Sequence, residues 1–247
     1  MKSIKICYAL LLAVFLCGCG QTKPVETTAP DARAIEAQLT TIWDARETWR
    51  VLEEMDGWCY AVTDLDGNGQ LEILSSETHG TGNYTTLRAW EVSEDGSSLN
   101  PIAAPAEDGA GGPVLASGYY SDENPSKEDV ETYTDGSGIT YYIQTDINKD
   151  GAAHYYETKL AVFLKDGKMD IQIIATKQTD YDASGTETVT CQDGSGNTLS
   201  EDDYENAVQL HFAGLPQKNA TFGWLTCVHT EELHEEELQA SWENFQK

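Results

Sequence analysis

From Val130 to Val189 the chain is a near-continuous series of strand-forming segments, and this limits its folds more than any other feature. ITYYIQT, HYYETKLAVFL and KMDIQIIATKQ are rich in Tyr, Ile, Val, Thr and Phe, which fit a pleated, half-buried surface. Short turn signals separate them. Lys165-Asp166-Gly167-Lys168 has Asp-Gly at its centre, which suits a type I′ hairpin, where both central residues take positive φ. Strands joined this closely run antiparallel, because parallel neighbours need a long crossover. The segment therefore predicts an antiparallel meander of hairpins.

The flanks add helices. From Asp31 to Met55, Ile35, Leu39, Ile42, Trp49, Leu52 and Met55 recur at three-, four- and seven-residue spacing and share one face. Asp31 follows Pro30 and can cap this helix, and Asp56-Gly57 ends it. Tyr84 to Val92 alternates as a strand, and Glu94-Asp95-Gly96 turns it into a return strand near Leu99 to Ile102. Pro101 to Gly118, rich in Ala, Gly and Pro, predicts a long surface loop. Ser200, with Asp203 three residues on, resembles a capping box opening a helix that Gly214 and Pro216 close. Thr221 to Val228 predicts a strand, and Thr230 with Glu231 and Glu232 opens a last helix. The expected fold is one α+β domain over residues 31–247. A mostly antiparallel sheet packs with an N-terminal helix and two C-terminal helices.

Residues 1–18 read as a signal peptide. Lys2 and Lys5 precede an apolar run from Ile6 to Leu16, which is too short for a comfortable membrane span. Leu16-Cys17-Gly18-Cys19 resembles the bacterial lipobox. That resemblance implies cleavage after Gly18 and a diacylglycerol, palmitate-bearing anchor on Cys19. Residues 19–30, with two prolines and three threonines, read as a flexible tether. Removing 18 of the 247 residues leaves 229; it takes two lysines and no acid, so the formal charge of −27 becomes −29. So acidic a body is a poor partner for nucleic acid, whose binding relies on Lys and Arg against phosphate. The expected location is extracytoplasmic, tethered to the cell membrane.

Between the first helix and the strands lies Ala61 to Leu74, AVTDLDGNGQLEIL. Ca²⁺ takes six to eight oxygen ligands. In a curled loop, positions one, three and five point Asp64, Asp66 and Asn68 inward. Gly69 permits the turn, the Gln70 carbonyl follows at the seventh position, and Glu72 at the ninth. Position twelve is Ser75, and LEILSS alternates as a strand, so this is no EF-hand. Asp, Asn and Gly also favour a plain solvated turn.

The run DLDGNGQLE resembles the D-x-D-x-[DN]-G-x-x-[DE] loop of FG-GAP repeats in integrin α-subunits and bacterial VCBS-type proteins, which joins two strands and binds calcium. The resemblance implies Asp64, Asp66, Asn68, Gln70 and Glu72 as ligands. It covers about a dozen residues in one copy, so the propeller of those families does not carry over. The wider pattern of helix, YAVTDLDGNG, strands and GNTLSEDDY is similar to uncharacterised bacterial surface lipoproteins, which implies kinship and no activity.

A second run repeats the spacing: Asp146, Asn148 and Asp150, with Gly151 sixth and Glu157 twelfth. Its flanks, YYIQT and KLAVFL, read as strands, so a strand-connecting turn competes with a second calcium loop. His79, near the first loop in sequence, fits an exposed turn. Cys59, Cys191 and Cys227 form no C-x-x-C, and their pairing is open. There is no G-x-S-x-G and no P-loop, and His234-Glu235-Glu236-Glu237 lacks the second histidine of H-E-x-x-H. The favoured expectation is a non-enzymatic surface lipoprotein with structural calcium, facing a cell-surface protein or glycan. The alternatives are a carboxylate-dependent hydrolase of glycans or peptides and a ligand-capture lipoprotein.

Overall fold

A computed structural model describes residues 32–50, 58–77, 87–103, 115, 124–227 and 233–245. The leader, Cys19, the tether, Leu52, Met55, His79 and most of the loop expected over residues 101–118 lie outside them. The N-terminal helix is α1 (Ala32–Asp44), followed after Ala45 by a short α2 (Arg46–Trp49). A single continuous helix was expected there. The Trp49 indole N–H instead donates to the Ile42 carbonyl at 2.8 Å, folding the second piece back onto the first. Trp49 then meets Tyr60 edge to face, with ring centroids 5.2 Å apart.

Strands follow: β1 (Trp58–Thr63), β2 (Glu72–Glu77), β3 (Leu87–Val92), β4 (Leu99–Ile102), β5 (Ser126–Thr134), β6 (Thr140–Asp150), β7 (His154–Lys165), β8 (Lys168–Tyr181), β9 (Glu187–Asp193) and β10 (Thr198–Leu199). The expected type I′ turn joins β7 to β8, with Asp166 at φ 52° and Gly167 at φ 71°. Then come α3 (Glu201–Glu205), α4 (Ala207–His211), β11 (Gln217–Cys227) and α5 (Glu235–Asn244). The Ser200 hydroxyl accepts the Asp203 N–H at 3.1 Å, which is half of the expected capping box; the shorter Asp203 carboxylate takes the Ser200 hydroxyl proton, at 2.6 Å, in place of the backbone N–H. The last helix begins at Glu235, where the Glu237 carboxylate accepts the His234 backbone N–H at 2.7 Å.

All eleven strands form one antiparallel sheet, in the order β10-β9-β8-β7-β6-β5-β11-β1-β2-β3-β4. The fold is therefore α+β, as expected. The C-terminal strand β11 is inserted between β5 and β1, which joins the two meanders into one sheet. The sheet also curls. Ala103, just past β4, forms a parallel bridge to Lys168 at the start of β8, and its carbonyl accepts the Met169 N–H at 2.9 Å.

Three apolar clusters follow from this curl. The inner face gathers residues from β1 to β8 and β11, among them Leu74, Ala89, Tyr142, Val162, Met169 and Phe222. On the outer face of β11, β1, β2 and β3, α1 and α5 bury Ile35, Leu39, Ile42, Tyr60, Val62, Leu225 and Leu238. On the outer face of the other half, α3 and α4 cover Ala161, Ile174 and Cys191 with Tyr204, Val208 and Phe212. Cys59 and Cys191 are both buried, in different clusters. The Cys227 side chain lies outside what is described.

Between β1 and β11 the ladder is interrupted by a side chain. Their pairing is registered from Trp58↔Cys227 to Tyr60↔Leu225. Two residues further on, the Ser241 hydroxyl of α5 accepts the Val62 N–H at 3.0 Å and donates to the Gly223 carbonyl at 2.5 Å. Gly223 is needed for this approach, because a Cβ there would stand 2.7 Å from the Ser241 carbonyl oxygen. The helix thus parts the two strands just before β1 enters its loop.

Candidate metal centre

Residues 64–71 form the loop between β1 and β2, with Thr63 and Glu72 directly paired at its base. The expected strand-loop-strand setting is therefore present. Two glycines take the positive φ the curl demands, Gly67 at 73° and Gly69 at 85°. Side-chain oxygens organise the backbone. Asp66 accepts the Asn68 N–H at 3.1 Å, Asn68 the Gln70 N–H at 2.6 Å, and Asp64 the Gly69 N–H at 3.4 Å.

The loop is held from outside and from beneath. Gln38 of α1 donates to the Gly69 carbonyl at 3.0 Å and accepts the Leu71 N–H at 2.7 Å. Tyr142, rising through the inner core from β6, donates its hydroxyl to the Leu65 carbonyl at 2.8 Å. Burial and the nearby Glu72, Asp64 and Asp66 carboxylates raise the pKa of that hydroxyl, which keeps it a donor.

Three carboxylates converge here. Asp64, Asp66 and Glu72 each offer an oxygen, and these oxygens lie within 4.8 Å of one another. Glu72 is 0 % exposed and Asp64 9 %. One Glu72 oxygen, Oε2, accepts the Thr63 hydroxyl at 2.9 Å and the Leu65 N–H at 2.8 Å. The other, Oε1, is buried with no hydrogen-bond partner. Burial lifts the Glu72 pKa well above the usual carboxylate range; the two hydrogen bonds pull it down, and the Asp64 and Asp66 charges push it up again. Leaving a carboxylate oxygen buried and unpartnered is costly, and a hard cation is the group that would satisfy it.

Of the five expected ligands, the structure brings Asp64, Asp66 and Glu72 together. Asn68 sits at the exposed rim, its amide nitrogen turned to Asp66 Oδ2 at 3.2 Å and to Glu91 Oε1 at 2.9 Å. Gln70 follows it with its N–H engaged, leaving its carbonyl as the donor it could offer. Two neighbours escaped the sequence reading. Glu91 lies directly across from Glu72 in the β2–β3 register. Gln38 lies 31 residues before Gly69. Only knowledge of the strand register, or of how α1 docks, would have disclosed either.

The second candidate run is not a loop. Asp146, Asn148 and Asp150 occupy the last part of β6, and the turn comes only at residues 151–153. Asp146 pairs with Thr158, Asn148 with Tyr156 and Asp150 with His154, so the three alternate along one face of an extended strand. Glu157 pairs with Ile147 and therefore belongs to the opposite face. The strand-forming flanks have prevailed over the ligand-like spacing, and the four side chains do not converge. Comparison of the chain with protein-family models, with curated proteins and with solved structures returns no match.

Proposed function

We propose that this chain is a lipid-anchored extracytoplasmic protein whose β1–β2 loop binds calcium, and that its role is non-enzymatic. One observation carries the metal reading: Glu72 holds a fully buried, unpartnered Oε1 in a carboxylate that is gathered with those of Asp64 and Asp66. A hairpin turn has no use for such a group. The donor set is all oxygen, which suits a hard cation and not a thiophilic one. Asn68 Oδ1 and the Gln70 carbonyl complete the set by resemblance to FG-GAP loops. The anchor rests on the lipobox-like Leu16-Cys17-Gly18-Cys19. Outside the cell even a site of about 10⁻⁴–10⁻³ M is filled by calcium.

Calorimetric titration of the full-length protein in detergent with Ca²⁺, beside melting curves with and without the ion, tests the reading. A saturable heat with one ion per chain is expected. At a hundredfold excess over Kd the folded state gains about 2.7 kcal/mol, and the melting temperature rises by about 2–4 °C per kcal/mol. Replacing both Asp64 and Asp66 by alanine should remove heat and shift together. A double variant that behaves like the wild type would refute the site.

A further inference from the structure

We infer that Glu91 of β3 is a further ligand of the ion proposed for the β1–β2 loop, so that the ion ties three strands together. This rests on reading the loop as a calcium site. Glu91 and Glu72 are direct partners on adjacent antiparallel strands, which puts both side chains on the same face. That is the inward face. Leu74 and Ala89, two residues along from each, belong to the inner cluster. Like charges placed directly opposite destabilise a sheet, and here Asp64 and Asp66 stand beside them. Both aspartates bear on Glu91 as well as on Glu72.

Glu91 is also linked to the loop directly. One nitrogen, Asn68 Nδ2, donates to Glu91 Oε1 at 2.9 Å and to Asp66 Oδ2 at 3.2 Å. The two carboxylates thus already converge on one positive dipole, and a divalent cation between them would do the same with full charge. Asn68 Oδ1 meanwhile accepts the Gln70 N–H at 2.6 Å, and its second lone pair is what it can offer the ion. The buried Glu72 Oε1 gives the ion its inner oxygen, and Glu91 its outer one.

Terbium(III) is a suitable probe. It takes the same hard oxygens, the Tyr142 ring lies beneath the loop to sensitise its emission, and lifetimes in H₂O and D₂O count the waters on the bound ion. Wild type, Glu91→Ala and Glu91→Gln are compared in the full-length protein; the glutamine variant keeps an acceptor for Asn68 and secures the result should alanine disturb the strand. Glu91→Ala should weaken Ca²⁺ binding about tenfold or more and add about one or two waters to bound Tb³⁺. Weaker binding with an unchanged water count would make Glu91 only a neighbouring charge, and unchanged binding would make it a bystander; either overturns the inference and leaves the loop site standing. Failure of the wild type to bind either ion would instead overturn the loop reading itself.

Discussion

Glu72 occupies a place that a neutral amide would fill at lower cost in the metal-free protein. Its Oε2 is fully used by Thr63 and Leu65, while Oε1 is buried without a partner in a carboxylate gathered with those of two aspartates. A glutamine would put its carbonyl oxygen where Oε2 is and its NH₂ toward Asp64 and Asp66, turning repulsion into hydrogen bonding. Glu72→Gln should therefore stabilise the chain in chelator by about 1 kcal/mol, or about 2–4 °C in melting temperature, and abolish the calcium-induced rise. The pH dependence has a definite sign. A carboxyl whose folded pKa is raised binds more protons folded than unfolded, so metal-free stability falls as pH rises from 4.5 toward the folded value. Glu72→Gln should flatten that slope, and melting curves in chelator across this range would show it. A slope unchanged by the substitution would mean that Glu72 is not the group responsible. The sequence displayed Asp64, Asp66 and Glu72 plainly because their spacing is local. It hid Glu91 and Gln38, whose parts in the site depend on how separate elements dock.

At the scale of elements, the strands and turns were legible because side-chain alternation and turn chemistry are local properties. Asp166-Gly167 is the clearest case, and Ser200 with Asp203 another. The first helix was over-read. Its apolar spacing continues past Ala45, but the Trp49 hydrogen bond to Ile42 shortens it. Asp146, Asn148 and Asp150 mislead for a related reason: a period of two suits a curled ligand loop and an extended strand equally well. Nothing local announces Ser241, which lies in an acidic helix and satisfies one backbone group on each of two other elements, β1 and β11. Ser241→Ala would leave the Val62 N–H and the Gly223 carbonyl buried without a partner. Each such orphan costs about 1–3 kcal/mol. A clear fall in the urea midpoint is expected; an unchanged midpoint would show that the two strands can close their own ladder there.

For the whole molecule the decisive element is β11. The meander from β5 onward and the one from β1 to β4 each leave an open edge until β11 pairs with both. The inner core is likewise incomplete without Ala220, Phe222 and Trp224. A chain ending at Pro216 should therefore show no cooperative melting by circular dichroism, whereas two independently folding halves would still melt. Such late, non-local closure also predicts slow folding. Pattern reading anticipated a strand near Thr221 to Val228 but not its central position, because long-range pairing leaves no local signature. The docking of α1 has a mechanical consequence. Tension entering the domain at Ala32 passes first into this helix. It is resisted by the apolar contacts of Ile35, Leu39 and Ile42, by Thr41 holding the Gly96 carbonyl at 2.8 Å, and by Gln38 holding Gly69 and Leu71. The loop lies on that load path, so whatever stiffens it raises the force at which α1 peels from the sheet.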